Sequence, residues 1–449
     1  MIRMRLSELA AHLGCPAPGR DVTVDAIVAD SRRVDFGALF AALPGSQVDG
    51  HDFAPAAVKL GAVALLVSRR LDLDVPQLVV PDVLRALGRL ACLLRQRLDP
   101  VVVGITGSNG KTTVKEMVAS ILRPVGPVLA TRGNYNNELG LPLSLFELEP
   151  RHRFAVLELG ASKKGDIAYL ADIAHPDVGL ITNIGPAHLR GFGSEEGVAR
   201  AKGEIYAALP TDGCAVINAE ETWMGYWLDV NRAGRVLTFG HGEDCTVRVA
   251  GDERQFRLET PQGTLEPNLA LPGMHNRLNA AAATAVALSL DIGLDHIRRG
   301  LETVKPVPGR LNFIETDAGW TVIDDTYNAN PASLYSALQV LSDMQGTPWL
   351  VLGDMKELGT DSSKMHREVG EAARAMGVAR LFAIGDMSAY TVDAFGEGAE
   401  HFATREELAA CLRRLLHPGI NCLVKGSRSM GMEAVVDAIT RDVDMKEAI

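Results

Sequence analysis

The run Thr106-Gly107-Ser108-Asn109-Gly110-Lys111-Thr112-Thr113 joins two glycines, a lysine and hydroxyls at the spacing of a phosphate-binding turn. The apolar stretch 101–106 before it reads as a buried strand, and 111–122 after it reads as a helix. Glycines at such a junction free backbone N–H groups to wrap phosphate oxygens at the positive end of the helix. In that setting Lys111 reaches the β- and γ-phosphates of a nucleoside triphosphate, and the Thr112 hydroxyl is offered to Mg2+. The strict pattern puts a glycine five residues before Gly110, where this chain has Ile105, so the loop is a variant with Gly107 as the earlier glycine. The competing reading is a plain glycine turn. No N-K-x-D motif is present to read a guanine base, which argues against a GTPase switch. A motor or transport ATPase stays open on the loop alone.

Two further candidates fall at strand ends. Glu158 follows the apolar run 154–157, and a carboxylate at the C-terminal end of a parallel strand faces the ligand crevice of an α/β sheet. His188 lies just past the strand run 178–182. With Thr112 and a nucleotide, Glu158 and His188 can complete a Mg2+ shell, although imidazole is an unusual ligand for so hard a cation. Lys202 is a different kind of signal. In the helical stretch 194–209 it falls in the stripe 198, 202, 205, 209, where a hydrophobe is expected. An inward lysine is costly unless paired or modified. It is either a lysine snorkelling at the stripe's edge or a lysine converted by CO2 into a metal-holding carbamate.

The elements that must position these groups alternate along the chain. Strand runs at 101–106, 154–157, 178–182, 321–323, 349–352, 381–384 and 422–424 are separated by helical stretches, which predicts an α/β fold built on parallel sheets. Length, 449 residues, suits about three domains. Breaks at 98–100 and at the proline-rich 304–309 predict domains of residues 1–99, 100–308 and 309–449. The excess of 56 acidic over 45 basic residues disfavours a broad nucleic-acid surface. Six scattered cysteines with no C-x-x-C pair read as reduced thiols. With neither a signal-peptide core nor a membrane-length apolar run, the expectation is a cytoplasmic protein without membrane or nucleic-acid partners.

In order along the chain, T-G-S-N-G-K-T-T at 106–113, E-L-G at 158–160, G-P-A-H-L at 185–189, A-K-G-E-I at 201–205, G-M-H-N-R-L-N-A-A-A-A at 273–283, P-G-R at 308–310 and D-D-T-Y-N-A-N-P at 324–331 resemble the Mur ligases. The resemblance covers essentially the whole chain. Within the family, D-S-R-R at 30–33, G-N-Y-N-N-E-L-G at 133–140, L-G-D-M-K-E-L-G at 352–359 and K-G-S-R-S-M-G-M-E at 425–433 are most similar to the branch that adds D-Ala-D-Ala. The D-N-P-R of the diamino-acid-adding branch is absent, and the loop reads G-K-T-T where folylpolyglutamate synthases typically read G-K-G-S.

The resemblance implies three domains: one for a uridine nucleotide, a central phosphate-loop parallel-sheet domain for ATP, and a Rossmann-like C-terminal domain that takes the dipeptide and closes on ATP. It implies ATP-dependent ligation of D-Ala-D-Ala to UDP-MurNAc-tripeptide through an acyl phosphate, with Mg2+ and no second subunit. A sibling ligase adding one amino acid is the first alternative. By position, Gly107, Ser108, Asn109, Gly110, Lys111, Thr112 and Thr113 would hold ATP, with Thr112, Glu158 and His188 on Mg2+ and Lys202 at the carbamylated position. Lys111, Lys202, Glu158 and His188 would then be the catalytic set. His275 and Asn276 match a base-contacting motif, or simply a polar start to the helix 278–290. Arg310 matches an arginine reaching ATP, and Asp324 a nucleotide-facing aspartate, although Asp324-Asp325 can equally cap the turn that follows. Ser31 and Arg32 match the uridine diphosphate region. Asn134, Asn136 and Asn137 suit a peptide- and sugar-rich ligand, or turn formation. Asn328 stands with the substrate-facing residues. Lys425 and Arg428 are alternative cations for the dipeptide carboxylate or a phosphate.

Overall fold

The computed structural model describes residues 3–16, 18–45, 48–186, 189–251 and 255–440. Three successive parallel-sheet layers account for most of it. The first sheet has four parallel strands in chain order, Ala26–Val28, Ala38–Ala41, Ala64–Val67 and Gln77–Val79. Helix Val83–Leu98 then leads out of it, capped by the Asp82 side chain, which accepts from Arg85 N–H. The helix stops at Asp99, which takes the left-handed conformation, and Pro100 cannot continue it. Leu87, Leu90 and Leu94 of this helix share one apolar core with Leu6 and Leu9 and with Leu141, Ile167 and Leu170 of the next layer. Each such leucine contributes roughly 1.5–3 kcal/mol by leaving water. The first two layers are thereby packed together rather than merely tethered.

The second sheet has nine strands. In spatial order they are Gly263–Leu265, Arg257–Thr260, Val247–Ala250, Arg235–Gly240, Cys214–Asn218, Val178–Ile181, Val101–Thr106, Phe154–Glu158 and Val128–Ala130. The last seven run parallel and the first two add an antiparallel edge. The strands at 101, 154 and 178 were legible as unbroken apolar runs because both faces are covered. The outer ones were not. Arg235–Gly240 begins exposed and the edge hairpin carries polar residues between its buried ones. Helix Lys111–Leu122 packs against helices Met274–Ser289 and Leu294–Thr303. The alanine-rich helix starts at Met274, earlier than its apolar pattern suggests, so His275 and Asn276 sit in its first turn.

The third sheet has the order Asn312–Glu315, Thr321–Asp325, Ile420–Lys425, Thr347–Gly353, Arg380–Ile384 and Ala399–Phe402, with only the first strand antiparallel. Helices Pro331–Ser342, Ser362–Ala375 and Ser388–Phe395 supply Leu334, Leu338, Val369 and Phe395 to one apolar layer. Helices Arg405–Leu415 and Glu433–Thr440 supply Leu408, Leu412, Val435 and Ile439 to another. Helices therefore cover both faces of a doubly wound sheet. Among the described residues, no helix is long and apolar enough to cross a membrane.

Candidate nucleotide and ligation site

The phosphate loop leaves the buried strand Val101–Thr106 and is pinned from one side. Asn183 accepts from Ser108 N–H (2.9 Å, through its backbone oxygen) and from Asn109 N–H (2.9 Å, through Oδ1). Thr182 Oγ1 donates to the Asn109 carbonyl at 2.6 Å. These anchors lie just beyond the adjacent strand Val178–Ile181, so sheet pairing fixes the loop. Two glycines are required here. Gly110 has φ 80 at the helix N-cap, where a Cβ would sit 2.6 Å from Asn279 Oδ1. Gly107 has φ 147, and a Cβ there would lie 1.8 Å from Thr182 Oγ1. Gly107→Ala is expected to cost about 1–3 kcal/mol of stability in denaturant melts and to weaken nucleotide binding. A variant with unchanged melting and unchanged nucleotide affinity would contradict this loop geometry.

Two lysines converge on one carbonyl. Lys111 Nζ donates to the Gly107 carbonyl at 2.6 Å, and Lys202 Nζ donates to the same oxygen at 3.0 Å. Lys202 is buried, at 3% exposure, on helix Glu195–Ala207. Desolvation, followed by the charge of Lys111, holds its pKa well below the ordinary lysine value, against an opposing pull from Glu158. The Lys111 pKa is also lowered, by desolvation and then by Arg310, with Glu158 again opposing. Two ammonium groups sharing one acceptor in a poorly solvated site are unfavourable, so Lys202 is held toward its neutral amine.

Glu158 ends its strand at 2% exposure. Its Oε2 accepts from Thr112 Oγ1 and its Oε1 from Asn136 Nδ2, both at 2.8 Å. Behind it, the Glu158 N–H donates to Thr131 Oγ1 at 3.0 Å, and the buried Lys115 Nζ donates to the Thr131 carbonyl at 2.5 Å. Lys115 thus ties the phosphate-loop helix to the strand end that carries the asparagine loop. The sequence reading passed over it, because it is simply the next lysine in a helix.

The third layer reaches into the same place. Arg310 Nη2 donates to Thr112 Oγ1 at 2.9 Å, its guanidinium lies 4.1 Å from the Tyr327 ring centre, and its Nε is buried without a partner among the described residues. Asn330 uses its Oδ1 to cap helix Pro331–Ser342, accepting from Ser333 N–H, while its Nδ2 donates to Asn109 Oδ1 at 2.8 Å. Asn330 was also passed over. Its signal was an asparagine directly before Pro331, an N-cap at the edge of the cleft.

The two aspartates divide their work. Asp324 accepts from Gly309 N–H, from Thr326 N–H and from Thr326 Oγ1, and it is absent from the cleft walls. Asp325 lines the cleft, accepts from Leu311 N–H at 3.1 Å and pairs with Lys425. Of the two, the cleft is thus lined by Asp325, and the expected Asp324 is turned to the loop backbone instead. Side chains alternate along the strand, and pairing with Ile420–Lys425 turns Asp325 inward. Lys425 also donates to the Asn328 carbonyl at 3.0 Å, so its charge is neutralised within the fold.

The cleft enclosed by these groups measures about 810 Å3, within the range of pockets that hold a small organic ligand. Ser108, Asn109, Gly110, Lys111, Thr113, Glu158 and Lys202 line it, as do Asn134, Asn136, Asn137, His275, Asn276, Arg310, Asn328 and Lys425. The His275 pKa is pushed down to about 4, by desolvation and then by the charge of Lys425, which leaves a neutral imidazole at pH 7. Asn276 donates to the Pro272 carbonyl and accepts from Asn279, so part of its amide is spent on its own helix and the turn leading into it. Asn137 accepts from Leu139 and Gly140 N–H groups, shaping the turn that Asn136 uses to reach Glu158.

Like Asp324, the expected residues Ser31, Arg32 and Arg428 are not part of the cleft lining. Ser31 and Arg32 form a short helical turn on the first layer, where Arg32 is exposed and pairs with Asp30, holding that carboxyl at about 2 through a side-chain hydrogen bond. Arg428 pairs at the rim with Glu433 at 3.3 Å. His188 lies outside the described residues.

Comparison with known proteins follows the three layers. Residues 23–94 match the family model described as Mur ligase family, catalytic domain, residues 105–287 the Mur ligase middle domain, and residues 309–428 the Mur ligase, glutamate ligase domain. The Escherichia coli UDP-N-acetylmuramoyl-tripeptide–D-alanyl-D-alanine ligase is 45% identical over 98% of this chain and 99% of its own length. The Haemophilus influenzae protein of that name is 40% identical over 97% of this chain and 98% of its own. Among solved structures, MurF from Acinetobacter baumannii superposes with a TM-score of 0.90 at 34% identity, covering 98% of this chain and 99% of that one. The Thermotoga maritima MurF ligase in complex with ADP gives 0.82 at 30% identity, covering 92% and 97%. Matched in each layer and along nearly its full length, the chain belongs to the Mur ligase family.

Proposed function

We propose that this chain uses ATP to join D-Ala-D-Ala to UDP-MurNAc-tripeptide in peptidoglycan precursor synthesis, releasing ADP and phosphate. The near-full-length identity to ligases of that name supports the substrates. The observation that carries the chemistry is the meeting of a phosphate loop, a buried hydroxyl–carboxylate pair and two desolvated lysines in one cleft. A carboxylate is a poor electrophile. Transfer of the γ-phosphoryl group to it makes an acyl phosphate, and the dipeptide amine then displaces phosphate to form the amide. The chain's task is to bring anions together and hold the shifting charge.

The roles follow from position. Gly107 to Thr113 cradle the phosphates, with Lys111 turning from the Gly107 carbonyl onto the β- and γ-oxygens. Arg310 carries into the same region an N–H that has no partner among the described residues, and its planar fork suits phosphate. Thr112 and Glu158 offer hard oxygen donors beside the loop, which fits Mg2+ bound mainly through phosphates and water. His188 belongs to the same proposed set. When bound, Mg2+ neutralises phosphate charge.

Lys202 is proposed to carry a carbamate. Its neutral amine attacks CO2, forms the N–C bond and releases one proton. The product sets an anion beside Lys111 in place of an amine that could be protonated only against that lysine's repulsion. His275 and Asn276 flank the base. Asn134, Asn136, Asn137 and Asn328 face the peptide substrates.

The reading assigns residues 1–99 to the uridine nucleotide through Ser31 and Arg32, 100–308 to ATP and 309–449 to the dipeptide. The contacts of Arg310 with Thr112 and of Asn330 with Asn109 then hold the last domain closed on the loop. It further assigns a monomer, since one chain builds the whole cleft, and the cytoplasm, where both nucleotides are supplied. The test is phosphate release with amide formation when ATP, UDP-MurNAc-tripeptide and D-Ala-D-Ala are present together. Equal hydrolysis without the acceptors would overturn it, and amide formation with D-Glu or diaminopimelate instead would make the chain a sibling ligase.

A further inference from the structure

We propose that Arg428, rather than Lys425, anchors the free carboxylate of the incoming dipeptide, in a subsite walled by the Tyr327 ring at the switch point of the third sheet. The inference rests on the ligase reading above and adds to it the residue that recognises the dipeptide's far end.

Two cations follow the C-terminal half of Ile420–Lys425, and the fold treats them differently. Lys425 is 2% exposed, and its ammonium is shared between the Asp325 carboxylate and the Asn328 carbonyl. A second carboxylate there would have to displace Asp325, leaving a buried charge uncompensated. Arg428 has no such commitment. Its side chain is 64% exposed, and its ion pair is with Glu433, itself 47% exposed. Exposed pairs of this kind are weak and readily exchanged.

The topology places Arg428 where a ligand belongs. Strand Thr321–Asp325 continues into helix Pro331–Ser342 on one face of the sheet, whereas its neighbour Ile420–Lys425 continues into helix Glu433–Thr440 on the other. Loops that diverge from adjacent parallel strands open a crevice at their carboxyl ends, the general binding position of doubly wound sheets. Tyr327 is on the first loop and Arg428 on the second, with the guanidinium 5.9 Å from the ring centre. The same ring lies 4.1 Å from Arg310, which touches Thr112 in the phosphate loop. An extended dipeptide, about 7 Å long, laid along Tyr327 with its carboxylate on Arg428, directs its amine toward the phosphate end. The guanidinium fork matches a carboxylate in two-point geometry.

The test compares D-Ala-D-Ala with its C-terminal carboxamide on the full-length wild type, Arg428→Ala and Lys425→Met. Wild type should prefer the free acid, and Arg428→Ala should raise the KM for D-Ala-D-Ala roughly 10- to 100-fold while leaving the KM values for ATP and UDP-MurNAc-tripeptide unchanged. In that variant the acid and the carboxamide should become equivalent, and Arg428→Lys should recover part of the preference. A retained preference in Arg428→Ala, or a wild type indifferent to the carboxyl group, would overturn the subsite while leaving the ligase reading intact. Loss of the preference in Lys425→Met alone would reassign it to Lys425. A wild type that forms no amide with either dipeptide would sink the ligase reading itself.

Discussion

Lys111→Met is expected to lower phosphate release by roughly 10²–10³-fold with little change in thermal melting. The two halves of that expectation have different causes. Lys111 makes no ion pair among the described residues, and its Nζ rests on the carbonyls of Gly107 and Ser108 in its own loop. Desolvation already disfavours its charge, so an apolar side chain of similar length costs the fold little. What disappears is a cation aimed at the transferring phosphoryl group, where charge shifts during reaction. Parallel melts and three-substrate phosphate-release assays separate the two. Full activity in a folded variant would remove the loop from the chemistry, and a large drop in melting temperature would show that Lys111 acts on the fold.

Lys202 is the second large effect. Lys202→Ala is expected to lose roughly 10²-fold or more of the activity and to regain part of it with short carboxylic acids, which can occupy the vacated space as the carbamate would. Wild-type activity should fall in CO2-depleted buffer and return with bicarbonate. The stability effect has a definite sign. Because the folded amine has a pKa below its unfolded value, the unfolded state binds more protons, and the unmodified protein loses stability as pH falls from the unfolded lysine pKa toward the folded one. Carbamate formation in the folded state removes that penalty, so bicarbonate should raise the melting temperature of wild type near neutral pH and leave Lys202→Ala unmoved. Bicarbonate-independent activity together with an unmodified mass would exclude the carbamate.

The strongest local signals were those that do not depend on distant pairing. The glycine loop, its flanking strand and helix, the strand-end position of Glu158 and the inward placement of Lys202 all follow from short apolar periods, and the structure puts these side chains around one carbonyl and one carboxylate. What the local pattern left open was decided by long-range register. Asp324 and Asp325 are indistinguishable until Thr321–Asp325 pairs with Ile420–Lys425, nearly a hundred residues away. The same pairing buries Lys425 against Asp325 and leaves Arg428 at the rim. The contact of Asn330 with Asn109 crosses between layers, and no spacing within either segment encodes it. The sheet's polar edge strands lacked the alternation that would have announced them.

The central claim is that this cleft activates a carboxylate by phosphorylating it, and following an oxygen atom tests that most directly. UDP-MurNAc-tripeptide carrying a heavy-oxygen label in its terminal carboxylate is turned over with ATP and D-Ala-D-Ala, and the released phosphate is weighed. An acyl phosphate requires one labelled oxygen to leave with each phosphate, matched by one amide formed. Unlabelled phosphate accompanying amide formation, or phosphate released without amide, would contradict the account.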